Sequence, residues 1–497
     1  MHHNTTPCAL PALTSDFLRS SNCLVDNLFA DLWKEVGIKT LLTRCGFRKR
    51  SGVPVDEVIY SLTLWIWLKV NSVSLFARQS LSTFCAASKD VLFEALKRED
   101  WNWRALHQRI ALVALRKMAR TDPSAAFVLD DTLKVRHGKK MPGVSSHFDH
   151  STGRHVMGQQ VLTLGLSCAQ GFIPVDSELF ISAVKAQGLR APFLDGRSVT
   201  AKRYAVAKEQ TKPQMAKAMI SRAQRLGFEA RYLLADAWFG TKKMIAIAQD
   251  ALLTPIVRMK KNTLKYRIRE ISGGQVSYRE MDVCAVYRQA VRGCWVKVPG
   301  QRYQSKTVDV ELNLNEPKDD VPRWVHVRLL FVRAMVCGDK PTPGKHDWAV
   351  FLTTDRALQP QRMLELYALR WAIEVYFKEI KQHLGFMQEQ GTHYAGYIAS
   401  MHLAAIRFCL LTIAQQAHQA RSLPEMRRQL CTNVAQIDYA SRLWQFFRAL
   451  ISGALETVKN LLGDQHEVLM QTIDLHVERF FVQALQLDTK LLRMEAL

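Results

Sequence analysis

No Cys-x-x-Cys pair occurs among the ten cysteines of this 497-residue chain. The absence argues against a zinc ribbon and against a disulfide framework, and leaves reduced, mostly buried thiols of a cytosolic protein as the expectation. Long apolar runs are also missing. The most hydrophobic stretch, Val58 to Leu68, stops at Lys69 and is too short to span a bilayer. No signal-peptide pattern marks the N-terminus, and no internal repeat or low-complexity tract interrupts the chain. Acids are scarce: 45 Asp and Glu stand against 68 Lys and Arg, a formal charge of +23. A surplus that large favours a polyanionic partner, most simply nucleic acid, through phosphate contacts and counterion release. The expected setting is the cytoplasm, in association with the nucleoid.

What is present is ordinary globular material, 48% hydrophobic and 23% charged, in a chain too long for one compact core. Residues 1–120 read as helices, with a turn at Ser51 to Pro54 beside the basic cluster Arg44, Arg48, Lys49 and Arg50. Near residue 125 the pattern changes. Ala125 to Asp130, Gln160 to Ser167 and Phe172 to Phe180 read as strands, the last two joined by an Ala-Gln-Gly turn. Thr211 to Leu226 reads as a helix, Ala230 to Asp236 as a strand, Gly240 to Leu252 as a helix and Pro255 to Met259 as a strand. The order β-β-β-α-β-α-β predicts an α/β, ribonuclease-H-like mixed sheet with helices on its faces. The expected organisation is a helical DNA-binding region at 1–120, a first catalytic part at 121–259, a β-rich insertion at 260–346, a second catalytic part at 347–420 and a helical region at 421–497.

One helix-sized stretch, Leu366 to Lys381, carries the densest chemistry. Tyr367, Arg370, Glu374 and Lys381 fall within roughly a 60° arc of a helix, beside an apolar arc of Leu369, Ile373, Tyr376, Ile380 and Leu384. Read alone, Arg370 and Glu374 at i,i+4 are a surface ion pair worth a few tenths of a kcal/mol. Two further acids change that. Asp130 closes the first predicted strand and Asp236 the fourth. Carboxylates at the ends of neighbouring strands repel unless a cation sits between them, and hard divalent cations prefer oxygen ligands. Asp130, Asp236 and Glu374 are therefore the candidate metal and catalytic residues, with Mg²⁺ the expected cofactor and Mn²⁺ able to substitute. Asp131 is the rival for Asp130, but an alternating strand sends the two side chains to opposite faces. Arg258, Lys260 and Lys261 open a basic stretch that runs to Arg269 without an acid, a candidate DNA-backbone groove whose alternative is a solvated face.

The spacing Tyr367-x2-Arg370-x3-Glu374-x6-Lys381 resembles the YREK signature of bacterial insertion-sequence transposases of the DDE class, in the fourth insertion-sequence family. Asp130-x-Thr132 and Asp236-Ala-Trp-Phe239 look like that family's first two acid motifs, and the resemblance covers about residues 40–420. It implies a transposase that binds the terminal inverted repeats of its element, cleaves the ends and joins 3′-hydroxyls to target DNA, acting as a homodimer or larger synaptic complex. It gives Tyr367, Arg370 and Lys381 to the transposon-end phosphates. By position it also gives Trp348 to a flipped base, with a buried strand tryptophan as the alternative. His137, His147, His150 and His155 show no zinc-ligand spacing and read as loop residues that touch DNA. The rival readings are a nuclease of the same fold that cuts and never joins, and an inactive DNA-binding repressor or domesticated copy.

Overall fold

The computed structural model describes residues 27–118, 122–138, 141–149, 153–182, 189, 193–272, 275–315, 321–334, 347–389, 391, 393–458, 465, 467–469 and 471–473. His150 of the histidine group lies outside them. The chain forms two compact units. One draws on the described parts of 1–117, 189–202 and 380–497, the other on those of 118–188 and 203–379.

The second unit is built on strands β1 Ala126–Val135, β2 Ser145–Asp149, β3 Arg154–Cys168, β4 Gly171–Phe180, β5 Tyr232–Ala235, β6 Thr254–Arg258, β7 Lys265–Ser272, β8 Gln275–Asp282, β9 Val296–Lys297, β10 Tyr303–Asn313, β11 Trp324–Ala334 and β12 Trp348–Thr353. They form one twelve-stranded sheet in the order β2-β3-β1-β5-β6-β12-β11-β10-β7-β8, with β4 also on β3 and β9 on β10. β1 runs antiparallel to β3 and parallel to β5, which runs parallel to β6. The sheet is thus mixed, as the element order predicts. Phe127, Val128, Leu129, Leu233 and Leu234 are all fully buried. Strands at the centre of a covered sheet read as continuous apolar runs for this reason. The β-rich stretch after residue 260 is continuous with these strands: β6 pairs β12, β12 pairs β11 and β11 pairs β10.

Helix Lys212–Arg225 packs on β3 and β4, and Lys242–Asp250 on β6. The first starts at a capping box, Thr211 with Gln214, and has Pro213 in its first turn. The second starts where the Thr241 hydroxyl accepts a bond from the Met244 N–H at 3.3 Å. Between β5 and that helix the chain passes Gly240, where an added Cβ would lie 2.2 Å from the Arg258 carbonyl oxygen. Backbone cannot yield as a side chain does. Gly240→Ala is expected to cost about 1–3 kcal/mol, measurable as a lowered thermal midpoint; an unchanged midpoint would show that the turn has room.

The first unit is helical. Its core helix, Tyr394–Ala417, is long and apolar enough to cross a membrane, yet its apolar window is completely buried in protein. It packs against Leu28–Val36, Val55–Leu64, Lys89–Lys97 and Leu423–Glu456. Val55–Leu64 starts at Pro54, whose fixed φ suits a helix start.

Candidate active site

Asp130 is not at a strand end. β1 continues to Val135 because β3 supplies ladder partners as far as Val135↔Gly158. What ends at this point is the parallel pairing with β5, whose last matched pair is Leu129↔Ala235. Asp130 is the next residue of β1 and Asp236 the residue just past β5, so both lie at the carboxyl end of the parallel ladder, the end at which open α/β sheets bind ligands. The Asp236 Oδ1 accepts the N–H groups of Trp238 at 2.9 Å and Phe239 at 3.3 Å, which fixes the carboxylate at the head of a turn. Asp131 points away. Its carboxylate takes Lys212 Nζ at 2.6 Å and Gln160 Nε2 at 2.6 Å, as strand alternation requires.

The two aspartates act on each other. Burial first, and the Asp236 carboxylate second, push the Asp130 carboxyl from its ordinary value near 3.8 up to about 7. The Asp131 N–H, 2.8 Å from Asp130 Oδ1, and the Arg370 guanidinium work in the opposite direction.

The stretch predicted as one helix is two, Pro360–Ala368 and Trp371–Gln382. Between them the bonds shorten to an i→i−3 pattern: Leu369 N to Leu366 O, Arg370 N to Tyr367 O, Ala372 N to Leu369 O and Ile373 N to Arg370 O. Such a turn eclipses side chains three apart. Arg370 accordingly sits over the Tyr367 ring, 5.6 Å from its centroid. Ser167 of β3 donates its hydroxyl to the Leu369 carbonyl at 3.0 Å, and Phe172 of β4 packs 5.4 Å from Tyr376, which docks the turn and the second helix on the sheet.

Arg370 joins the acids. Its Nη1 lies 3.3 Å from Asp130 Oδ2 and its Nη2 lies 2.5 Å from Glu374 Oε1. Burial opposes its charge, but Tyr367, Glu374 and Asp130 outweigh that and raise its pKa. Its Nε is buried with no hydrogen-bond partner. Burial likewise pushes up the Tyr367 phenol, while Arg370 and Arg258 pull it down; the tyrosine is thus within the field of Arg258 and Asp236. The structure therefore brings together Asp130, Asp236, Arg370, Tyr367 and Arg258, and ties Glu374 to Asp130 through the Arg370 guanidinium. Among the described residues no three His, Cys, Asp or Glu converge closely enough to hold a metal ion. The donor set nonetheless suits a divalent cation: burial first, and the neighbouring Asp236 charge second, raise Asp130 to about 7, and a bound positive charge would offset both.

The remaining predicted residues lie elsewhere. Trp348 is buried at 7% exposure. Tyr287 stacks on its ring at 4.0 Å and 5°, and the Lys261 ammonium lies 3.9 Å from its centroid while donating to its carbonyl at 2.6 Å. Its position on β12 puts it in the sheet core, and neither face is open to a base. Lys261 is engaged there, and Lys260 is exposed, 5.9 Å from the Trp238 ring. Lys381 is exposed on the last turn of Trp371–Gln382, a turn that belongs to the first unit. His147 and His155 lie on strands β2 and β3 rather than in loops, His147 within 2.8 Å of the Ser145 hydroxyl. Sequence reasoning missed Lys212 and Trp238. The lysine read as an ordinary helix start, and the tryptophan served only to identify the acid motif.

A mixed sheet flanked by helices fits a DDE nuclease fold. Residues 77–274 match the family described as DDE superfamily endonuclease, and residues 193–411 match the Transposase DDE domain. The first range contains Asp130, the second Glu374, and both contain Asp236. No curated protein matches the chain. The two family matches indicate a transposase of the DDE class, an enzyme of the nuclease type with DNA as its substrate. Enzymes of that class generally use divalent metals, usually Mg²⁺.

Proposed function

We propose that this protein binds the terminal inverted repeats of an insertion sequence, cleaves its ends by metal-assisted hydrolysis and joins the 3′-hydroxyls to target DNA. The observation that carries the reading is the Asp130–Asp236 pair, set side by side where the β1–β5 ladder ends, with Asp130 raised to about 7. Asp130 and Asp236 would hold Mg²⁺ or Mn²⁺, and Glu374 would join them once Arg370 has another partner. Bound there, a divalent cation offsets the carboxylate repulsion and stabilises charge on the leaving oxygen of the phosphodiester. Arg370 is the residue that turns to the DNA, because its planar fork and unsatisfied Nε match phosphate oxygens. Tyr367 holds that guanidinium in place, and Arg258 and Lys260 line the approach of the backbone. The Tyr367, Arg370, Glu374 and Lys381 spacing supports placement in the fourth insertion-sequence family. Joining two ends requires two sites held together, so a homodimer is the expected working form.

The test is a plasmid carrying two element ends, incubated with the protein and Mg²⁺, alongside pre-cleaved ends supplied with a target. Joined products are expected from both. Cleavage without joining would leave a DDE endonuclease and end the transposase reading.

The arginine bridge makes a separate prediction. Arg370 and a cation compete for Asp130 and Glu374, so Arg370→Gln is expected to tighten Mn²⁺ binding in the absence of DNA by about 10- to 150-fold. That corresponds to the loss of charge-assisted bonds worth roughly 1.5–3 kcal/mol. Titration calorimetry measures it, and unchanged or weaker Mn²⁺ binding would rule out the competition.

A further inference from the structure

The β1–β5 register ends at Leu129↔Ala235, so Asp130 and Asp236 stand one residue beyond the pairing that aligns their segments. Neighbouring carboxylates repel, and past that point their spacing needs another support. We propose that Lys212 supplies it, as a positioning residue that clamps the Asp130 and Asp236 segments together through Asp131 and Trp238; the proposal rests on the DNA-cutting reading above.

The contacts form an unbroken path from one acid to the other. The Asp131 N–H donates to Asp130 Oδ1 at 2.8 Å. The Asp131 carboxylate accepts from the Lys212 ammonium at 2.6 Å. That same ammonium lies 4.2 Å from the centroid of the Trp238 ring, close enough for a cation–π contact. The Trp238 N–H in turn donates to Asp236 Oδ1 at 2.9 Å. Lys212 therefore touches, on each segment, a residue whose backbone N–H fixes an acid.

The clamp is itself anchored. Lys212 opens helix Lys212–Arg225, whose start is set by the Thr211–Gln214 capping box and by Pro213. Met215, Ala216, Met219 and Ile220 of that helix are buried, and the helix packs on β3 and β4. The Phe180 ring of β4 meets the ammonium at 5.2 Å. Lys212 is only 6% exposed. A lysine that serves DNA phosphates keeps its head in water, as Lys208 and Lys260 do. Stability alone does not call for the pair either, because an ion pair this enclosed gains little over apolar residues of the same volume. What it supplies is direction. A short charge-assisted bond fixes where both of its ends lie, which an apolar contact does not.

The test compares Lys212→Met, and the double variant Asp131→Asn with Lys212→Met, against the unaltered full chain, each below its thermal transition. Methionine keeps the stem and removes the ammonium. The double variant also removes the carboxylate that would be left without its cation, which protects the fold. With Mg²⁺ and a duplex carrying one element end, both variants are expected to lose about 10- to 100-fold in the single-turnover cleavage rate at saturation. Mn²⁺ affinity without DNA, read from the EPR signal of the free ion, should weaken by about tenfold or more. Affinity for the fluorescein-labelled duplex in EDTA, read by anisotropy, should stay within about twofold, because the ammonium does not meet the DNA. A folded variant with the unaltered rate and Mn²⁺ affinity would overturn the positioning role and leave the DNA-cutting reading intact. Duplex affinity falling as steeply as the rate would make Lys212 a DNA contact and overturn that role as well. Absence of both Mn²⁺ binding and cleavage in the unaltered protein would overturn both readings.

Discussion

Asp236→Asn is expected to reduce DNA cleavage by at least about 10²–10³-fold, the loss typical of removing one preorganised charge-stabilising group, while raising the melting temperature at neutral pH. Asparagine keeps an oxygen for the Trp238 and Phe239 N–H groups, so the turn survives. What it removes is the charge that helps hold Asp130 up at about 7. The sign follows from linkage. The unfolded chain releases the Asp130 proton near 3.8, whereas the folded chain keeps it to about 7. Between those values the folded state binds more protons, so stability falls as pH rises through that window. Melting curves from pH 4 to pH 8 should show this decline in the unaltered protein and a flatter profile in Asp236→Asn. An unchanged cleavage rate would remove Asp236 from the chemistry, and an unchanged pH profile would show that burial alone sets Asp130.

The strands that carry the two aspartates are legible in sequence because each is an apolar run bounded by turn residues, the pattern of a strand covered on both faces. The convergence of Asp130 and Asp236 follows from parallel pairing of β1 with β5, which the element order implies but local sequence cannot register. The break at Leu369 and Arg370 is hidden for a different reason. Both Leu366–Ala368 and Trp371–Lys381 have good helix formers, and the 3₁₀-type turn between them is imposed by docking, through Ser167 on the Leu369 carbonyl. That turn sets Arg370 over Tyr367 and between two acids, a placement no uniform helical projection yields. Trp348 shows the limit of reading an aromatic by position. Its strand neighbours Val350, Phe351 and Leu352 are buried with it, so the tryptophan belongs to the core and Tyr287 occupies the face a base would need. Lys212 is the converse case. Nothing local marks it as buried, and its partner Asp131 lies 81 residues away.

In the helical unit the largest stability effect is expected at Arg407, which is completely buried on the core helix together with Glu389. Its guanidinium donates to the carbonyls of Leu62 at 2.5 Å, Thr63 at 3.1 Å and Leu384 at 2.9 Å, and to Glu389 Oε1 at 2.8 Å. Glu389 is further held by the Trp65 indole N–H at 3.2 Å and by the Ser400 hydroxyl. Gly385, at φ +71, lets the chain pass the guanidinium, since an added Cβ would lie 3.0 Å from Nη1. Arg407→Met leaves a buried carboxylate without its cation and strips three carbonyls of their donor. The expected cost is about 3–5 kcal/mol, the range for breaking one side of a buried pair. Glu389→Gln should cost less, because the three carbonyls still receive the guanidinium and the amide oxygen still accepts from Trp65. Urea unfolding followed by tryptophan fluorescence separates the two variants, and it should be read at the transition of the helical unit, because a chain of two units need not unfold in one step. Equal midpoints for Arg407→Met and the unaltered protein would mean that the interior relaxes around the loss. The expected order, with the arginine variant least stable, would identify this ion pair as the link that fixes Val55–Leu64 and the segment around Leu384 against the core helix.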